Sequence, residues 1–384
     1  MDFSFSDEQQ QIRKAVRDFA QKEIAPHVAD YDAEGRFPKA IIQKAAELGW
    51  MGGIVPPEYG GAGIDFTTQT IILEEISRFC HCVGCALSFP SGLAGSAILR
   101  FGTEEQKQKY LKPLAEGKVF AATGVTEPHS GTDVAAMETT CRRDGDHYIL
   151  NGAKAWISFL DVAEWVLTFA TLDRENPRKG ICAFLIDRNT PGMTFKPYKH
   201  KLGFKPLTTG DVILEDCRVP ARNLVGEERQ GMHVAMCAVE NGRLGVAARA
   251  LGLAQACLDE SVKYAKERIV FGEPIGKFQL VQSMITDMVT AIESARLLTY
   301  RLAWVKDHGA KQARKDASIA KMAASDAAMM AATHAVQIHG AYGCSGEYPV
   351  SRYFRDAKVF QIVEGQNQLH KALIAEYTLG LRRE

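Results

Sequence analysis

The sequence has no excess of charge of either sign, with 46 Lys and Arg residues against 46 Asp and Glu residues among 384. Without net positive charge, a protein lacks the long-range field that attracts nucleic acid or an anionic membrane, although a local basic groove remains possible. The sequence also lacks a run of 18 uninterrupted apolar residues, because charged residues interrupt its longest apolar stretches. We therefore expect no nucleic-acid partner and no membrane-spanning segment.

A disulfide framework is missing as well. The nine cysteines are odd in number and scattered along the chain, apart from Cys80, Cys82 and Cys85. This distribution favours a reducing compartment over a secreted, disulfide-stapled fold. The first residues also lack the apolar segment of a signal peptide. We expect a cytoplasmic protein.

One short cluster, Cys80-His81-Cys82, has soft metal-ligating side chains. A structural zinc site takes two paired ligand clusters, and the sequence has no second Cys-x2-Cys or His-x3-His pair to complete it. Cysteines buried at the end of an apolar helix explain the cluster better. We therefore predict no metal site.

Several nucleotide and hydrolase motifs are absent: the Walker A loop, the HExxH zinc motif and the G-x-S-x-G elbow. Gly340-Ala341-Tyr342-Gly343 does not have the G-x-G-x-x-G spacing and follows a helical pattern rather than a strand. These absences exclude particular ways of binding a nucleotide, not the nucleotide itself.

Three segments of different periodicity are present. Capping-box pairs at Ser6 and Thr103 and helical apolar spacing predict a helical first segment, whereas short β-branched runs between Asp-Gly and Asn-Gly turns predict a β middle segment. Amphipathic stretches then predict four long helices, over 236–266, 278–308, 315–339 and 366–379. We place the domains at 1–118, 119–229 and 230–384, since 384 residues support two or three domains.

Two segments carry residue types suited to chemistry. The loop from Thr126 to Asp133 combines hydroxyls, a Pro and a Gly, a composition that can offer donors to a ligand but on its own favours a capped turn. Glu364 precedes the last predicted helix, where a carboxylate can simply interact with the helix dipole. If Glu364 instead faces an apolar pocket, burial raises its pKa and makes it a general base.

Ordered motifs along the whole chain resemble those of the acyl-CoA dehydrogenase family. They are T-E-P-x-x-G-T-D, L-N-G-x-K-x-W-I-S, the E-R-x-x-F-G-x-P-I-x-x-F-Q run from Glu267 to Gln279, and the segment from Q-I-H-G-A-Y-G to Val363-Glu364-Gly365. The resemblance implies an α+β fold with an N-terminal all-α domain, a middle β-barrel or sandwich domain and a C-terminal four-helix bundle.

The family resemblance also implies an activity. It implies FAD-dependent α,β-dehydrogenation of an acyl-CoA thioester in a homotetramer, with electrons passed to an electron-transferring flavoprotein. Glu364 matches the common position of the base that removes the α-proton. A branch of the family places the base before an Arg on a long helix, and here that residue is Gly242, preceding Arg243.

Other site residues follow from the same motifs. Val125, Thr126, Gly131 and Thr132 resemble the loop that contacts flavin and thioester, with Trp156 and Ser158 flanking the flavin ring. The resemblance assigns Arg268, Phe271 and Gln279 to a neighbouring subunit's FAD and Gln337 with Gly340 to its adenosine part. Thr132, Arg243 and Gly365 are the expected substrate contacts.

The sequence departs from the family pattern in two places. Gln366 stands where the family usually has a Thr that contacts flavin, so its amide would have to substitute for that hydroxyl. The segment from Ser88 to Leu93 contains Pro90 and lacks the usual His-Asn at the acyl end of the pocket. These changes suggest a cyclic, branched or dicarboxylic substrate, but a distal carboxylate would need a basic partner that the sequence does not identify.

Three alternatives stay open at this point. The same scaffold could run as an enoyl-CoA reductase or as a flavin oxidase. It could also be a non-catalytic, DNA-associated relative, although the neutral net charge and the retained Glu364 argue against that class.

Overall fold

The computed structural model describes residues 4–310 and 313–382. The first part is helical, and both predicted capping boxes are present: Ser6 and Thr103 each exchange hydrogen bonds with the Gln three residues later. The helices are α1 (Asp7–Phe19), α2 (Val28–Glu34), α3 (Lys39–Glu47), α4 (Phe66–Ser77), α5 (His81–Ser88), α6 (Leu93–Phe101), α7 (Glu104–Gln106) and α8 (Lys112–Ala115). Two π-helical turns, Ala20–Ile24 and Lys107–Leu111, follow α1 and α7.

The middle part is one sheet of eight strands in the order β6-β7-β3-β2-β4-β5-β8, with β1 paired in parallel to β4. The strands are β1 (Phe120–Gly124), β2 (Thr140–Asp144), β3 (His147–Ser158), β4 (Ala163–Thr171), β5 (Ile181–Asp187), β6 (Met193–Pro197), β7 (Thr209–Pro220) and β8 (Leu224–Val225). A short helix, α9 (Pro177–Gly180), connects β4 to β5. The predicted change from helix to strand is confirmed.

The last part returns to long helices: α10 (Gly231–Glu267), α11 (Gln279–Asp307), α12 (Arg314–His339), α13 (Val350–Phe360) and α14 (Asn367–Thr378). A small hairpin of β9 (Ile269–Val270) and β10 (Glu273–Pro274) joins α10 to α11. Helices α10, α11 and α12 pack pairwise, and α14 packs on α12. Helix α10 also packs on α4, α5 and α6, so it joins the N-terminal helices to the C-terminal bundle.

Two details differ from the sequence prediction. Helix α10 begins at Gly231, five residues before the predicted start, where a Cβ atom on that glycine would lie 2.7 Å from Ile181 Cγ2. Helix α13 was not predicted, although its buried residues Val350, Tyr353, Ala357 and Phe360 recur at helical spacing. It carries the chain directly to Glu364.

The segment His81–Phe101 is long and apolar enough to cross a membrane, with a mean hydropathy of 1.6. In the structure, however, it is divided into α5 and α6, and 72% of the apolar window is buried among other parts of the chain. Core helices of globular proteins meet the same criteria. We therefore interpret α5 and α6 as core elements.

The Cys80-His81-Cys82 cluster lies at the start of α5, and all three residues are buried. The His81 ring packs 4.0 Å from the Phe204 ring and 5.5 Å from the Phe360 ring, measured between centroids. Both cysteines are free thiols. The prediction that these cysteines are buried is confirmed.

Candidate functional site

Glu364 lies in a tight turn between α13 and α14. Its φ angle is 57°, and that of Gly365 is 94°. The left-handed region is unfavourable for a residue with a Cβ atom, so the surrounding structure must hold Glu364 in place. Such local strain is common where a side chain is fixed for function.

Lys321 of α12 forms hydrogen bonds with the turn that contains Glu364. Its buried ammonium donates to the carbonyl oxygen of Gly365 at 2.7 Å and to Oδ1 of Asn367 at 2.9 Å. The Asn367 amide in turn donates to Ser325 and Asp326, both of α12. Gly365 and Asn367, which follow Glu364, are therefore anchored to the bundle.

The Glu364 carboxylate lies against the backbone of Gly242 on α10. A Cβ atom on Gly242 would stand 2.8 Å from Glu364 Oε1 and 2.9 Å from Oε2, closer than side chains approach one another. The turn between α5 and α6 reaches the same place, because a Cβ on Gly92 would lie 3.3 Å from the Gly242 Cα. Gly242 therefore leaves the space that the carboxylate occupies.

Burial raises the pKa of Glu364 to about 7, against the lowering influence of Arg249, Arg243 and Lys321. Arg243 also contacts the turn directly, because its Nε donates to the Glu364 carbonyl oxygen at 3.3 Å. A carboxyl group with a pKa near neutrality is poised to exchange protons at physiological pH.

The middle domain meets this turn through its loops. The Gln366 amide lies 3.5 Å from the Thr132 hydroxyl. The end of the turn that contains Glu364 therefore lies beside the loop after β1. Within that loop, Gly131 and Thr132 are exposed, whereas Val125 and Thr126 are half-buried. These contacts place Gln366, Thr132 and Glu364 at one junction of the sheet and the bundle.

Trp156 projects from β3 at a bulge. The register of β3 against β7 shifts between Lys154 and Ile157, and Trp156 takes a φ of 61°. The bulge turns its indole outward, so Trp156 is 63% exposed while both of its neighbours in the chain are buried. Its ring packs 4.9 Å from that of Tyr198, and Ser158 ends the strand. A large flat apolar surface is thus presented beside the sheet.

Beneath the loop after β1, Glu127 and Lys154 form a buried ion pair of 2.6 Å. Burial alone would raise the pKa of Glu127, but Lys154 and hydrogen bonds from Thr139 and Glu138 lower it overall. Burial lowers the pKa of Lys154 to about 8. The sequence interpretation did not assign this role to Glu127, which fixes the loop to β3.

We predict that Lys154→Met destabilises the fold by about 3–5 kcal/mol, because the Glu127 carboxylate would stay buried without its cation. Chemical denaturation followed by circular dichroism measures this change. Lys277→Met, which breaks the exposed pair of Lys277 with Glu273, is the matched control and should have a much smaller effect. Equal effects of the two substitutions would contradict the prediction.

Residues that the sequence assigns to a neighbouring subunit's FAD lie together near the C-terminal end of α10. Arg268 follows α10, and its guanidinium lies 5.8 Å from the Tyr342 ring centroid. Tyr342 belongs to the 3-10 turn that begins at Gly340 (φ 60°), whose N–H donates to the Gln337 carbonyl oxygen at the end of α12. Phe271, in the hairpin, is 92% exposed with a φ of 53°.

Comparison with known proteins identifies the family. Models of three acyl-CoA dehydrogenase domains match the chain: the N-terminal domain over residues 6–118, the middle domain over 122–217 and the C-terminal domain over 229–379. The chain belongs to the acyl-CoA dehydrogenase family. Its fold, an N-terminal and a C-terminal helical domain around a middle β domain, is that of the family.

Individual relatives cover almost the whole chain. Mouse short-chain specific acyl-CoA dehydrogenase is 43% identical over 96% of this chain and 90% of its own length. The 3-(aryl)acrylate reductase of Clostridium sporogenes is 42% identical over 98% of this chain and 99% of its own. A solved structure described as the electron transferring flavoprotein of Acidaminococcus fermentans superposes with a TM-score of 0.95 and 43% identity, covering all of both chains.

As an acyl-CoA dehydrogenase, the chain is an FAD-dependent oxidoreductase. The residues present fit that cofactor. The exposed indole of Trp156 offers a flat surface for the isoalloxazine ring, and the exposed Thr132 hydroxyl and the Gln366 amide offer polar contacts beside it. The predicted replacement of the usual Thr by Gln366 is compatible with this arrangement.

Two buried cations at the site of this acyl-CoA dehydrogenase, Lys321 and Arg249, were not predicted. Each stands alone in a helical stretch of apolar residues, Ile319-Ala320-Lys321-Met322 and Ala247-Ala248-Arg249-Ala250. Both lower the pKa of Glu364. An isolated charge within an apolar helix is the signal that could have found them.

Proposed function

We propose that this chain removes two hydrogens from the α and β carbons of an acyl-CoA thioester, with Glu364 as the base for the α-proton. The observation that carries this proposal is the position of the Glu364 carboxylate, against Gly242 and with a pKa near 7. Bound FAD supplies the acceptor for the β-hydride. Deprotonated Glu364 accepts the α-proton.

The α-proton of a thioester is weakly acidic, so the thioester oxygen must be polarised as the proton leaves. We assign one donor to the backbone N–H of Glu364, which the left-handed turn holds in a fixed orientation. Lys321 and Arg243 support this turn through the carbonyl oxygens of Gly365 and Glu364. Their role is to position the base.

The decisive test is anaerobic addition of a panel of acyl-CoA thioesters to the holoenzyme. The flavin absorbance should bleach with at least one saturated thioester, and the electrons should pass to an electron-transferring flavoprotein. That partner is supported by the likeness to the Acidaminococcus fermentans structure. If no saturated thioester bleaches the flavin, the proposed direction of reaction is wrong.

The reverse reaction is a second candidate, favoured by the likeness to the Clostridium sporogenes reductase. The same groups would then act in reverse, with protonated Glu364 returning a proton to the α carbon. Anaerobic mixing of chemically reduced enzyme with an enoyl-CoA distinguishes the two. Turnover only from the unsaturated thioester would favour the reductase.

The pH dependence of flavin reduction should follow Glu364. Because the base must be deprotonated, and because burial raises its pKa to about 7, kcat/KM should rise with pH up to about 7 and level off above it. Burial lowers the pKa of Lys321 to about 7, so its positive charge acts on Glu364 mainly below neutral pH. Lys321→Met removes that charge, so it should move this midpoint upward. A profile that is flat from well below neutrality, or unmoved in Lys321→Met, would contradict this prediction.

We propose a homotetramer because large apolar side chains are exposed along the C-terminal domain. Phe271 and the α11 residues Leu280, Leu297 and Trp304 are each more than half exposed, an arrangement that favours contact with another copy of the chain. Arg268 and Phe271 would then reach a neighbouring subunit's FAD. Sedimentation analysis should give a tetramer, and Phe271→Ala should bind FAD more weakly; a monomer with full FAD would contradict this.

A further inference from the structure

Arg249 is a buried arginine of α10 that lacks a full set of partners. The residue is 5% exposed, and its Nε donates to the Gly245 carbonyl oxygen at 3.1 Å. Within residues 4–310 and 313–382, its Nη1 has no hydrogen-bond partner and no carboxylate forms an ion pair with it at 4.0 Å or less. The guanidinium lies 5.7 Å from the centroid of the Phe360 ring. Glu364 provides a nearby negative charge, since Arg249 lowers its pKa. A buried guanidinium N–H without an acceptor is nevertheless costly, so a ligand that accepts from it gains strongly.

The position of Arg249 relates it to the base. It follows Gly242 by seven residues, two helical turns, and so lies on the same face of α10 as the Glu364 carboxylate. Its bond to Gly245 turns the side chain back toward the base by one turn. The Arg249 guanidinium therefore lies on the side of α10 that faces Glu364, and it is the charged group with the largest lowering influence on the pKa of that carboxyl.

The Arg249 side chain packs against α5, close to the segment predicted to line the acyl end of the pocket. A Cβ atom on Gly245 would lie 3.2 Å from Ser88, which belongs to the segment predicted to line the acyl end of the pocket. A Cβ on Gly84 would lie 3.3 Å from the Arg249 stem and 2.3 Å from the Ser77 hydroxyl. Within the described part of the chain, the buried Ser77 hydroxyl has no hydrogen-bond partner. This hydroxyl and the Arg249 stem thus adjoin the same glycine.

We propose that Arg249 binds the distal carboxylate of a short dicarboxylic acyl-CoA. This inference rests on the proposed function and names its substrate class. A carboxylate would accept from the unpartnered Nη1, and the planar fork of arginine suits its two oxygens. A cyclic or branched hydrocarbon would leave Nη1 without an acceptor.

The spacing indicates a short chain. Gly245, against which the Arg249 side chain folds, lies about 4.5 Å along the helix axis from Gly242. That span corresponds to a few carbon–carbon bonds between the reacting carbons and the distal carboxylate. In the reaction, the α-proton goes to Glu364, the β-hydride goes to FAD and a carbon–carbon double bond forms, while the distal carboxylate stays unchanged.

The test compares glutaryl-CoA with pentanoyl-CoA, whose acyl chains have equal length and differ in the distal carboxylate. With the holoenzyme, kcat/KM for flavin reduction should favour glutaryl-CoA by at least about 100-fold, since a site built for a polar group rejects the analogue without it. In Arg249→Gln, this ratio should fall to near or below one. Arg249→Lys should retain part of the preference, because it keeps the charge but loses the fork.

Two further measurements separate binding from other effects. In Glu364→Gln neither thioester should be oxidised, so titration of the flavin spectrum measures binding alone, and Arg249→Gln in that background should weaken glutaryl-CoA selectively. Arg301→Gln, which alters an exposed arginine of α11, is the control and should leave the ratio unchanged. Arg249→Gln removes a buried charge, so it is expected to fold.

The outcomes are distinguishable. If pentanoyl-CoA bleaches the flavin as well as glutaryl-CoA, and Arg249→Gln alters both alike, the dicarboxylate inference is wrong and the proposed function stands. Such a result would mean that Arg249 acts only on the charge of Glu364. If neither thioester nor any other saturated acyl-CoA bleaches the flavin, the proposed function itself fails.

Discussion

Replacement of Glu364 by glutamine should lower the rate of flavin reduction by an acyl-CoA by about 10²- to 10⁴-fold, the usual contribution of a general base. The amide has nearly the shape of the carboxylate and fits the same space against Gly242, but it cannot accept the α-proton. Stopped-flow absorbance of the flavin band under anaerobic conditions measures the rate directly.

Two controls make this result specific. Glu376→Gln makes the same chemical change on the surface of α14, where Glu376 pairs with Arg382, and should leave the rate unchanged. In Glu364→Gln, acyl-CoA should still perturb the flavin spectrum without bleaching it, which shows that substrate binds. Bleaching at the wild-type rate in this variant would remove Glu364 from its assigned role.

Local signals in the sequence predicted much of the fold. Reciprocal hydrogen bonds of the capping residues are formed within four residues, so Ser6 and Thr103 could be recognised without tertiary information. The change in periodicity likewise located the β domain between two helical domains. The bulge at Trp156 was not predicted, because it depends on the register of β3 against β7.

The candidate site was predictable only where a family motif marked it. Glu364 and Arg243 were found in this way, and the structure brings them into contact. Lys321 and Arg249 were not found, because their role depends on contacts between elements distant in sequence. A lone cation in an apolar helix is ordinarily read as a solvated position, and only tertiary structure shows that both are buried.

The packing of Glu364 on Gly242 also explains why the family can place its base on either of two elements. A side chain at position 242 would begin within 2.9 Å of the present carboxylate oxygens, so the two positions lead to one location. A glutamate at both positions would bring two carboxylates together, which is unfavourable. A base at position 364 or 242 therefore requires a small residue at the other of these two positions.

This geometry predicts that the base can be moved. Glu364→Gly should be nearly inactive, and the double variant Gly242→Glu/Glu364→Gly should recover flavin reduction by about 10²-fold over it, a partial return of the contribution of a base. Glycine at 364 also suits the φ of 57°, so the turn should be retained. Anaerobic flavin reduction by the best thioester of the panel measures the recovery.

Gly242→Gln/Glu364→Gly is the matched control, because it fills the same space without a carboxylate and should stay inactive. The single variant Gly242→Glu should lose activity as well, since the new side chain would overlap Glu364. If the double variant with glutamate binds substrate but is no faster than its glutamine counterpart, the carboxylate does not act from this location. Recovery only with glutamate would identify the space between α10 and the 364 turn as the place where the α-proton is removed.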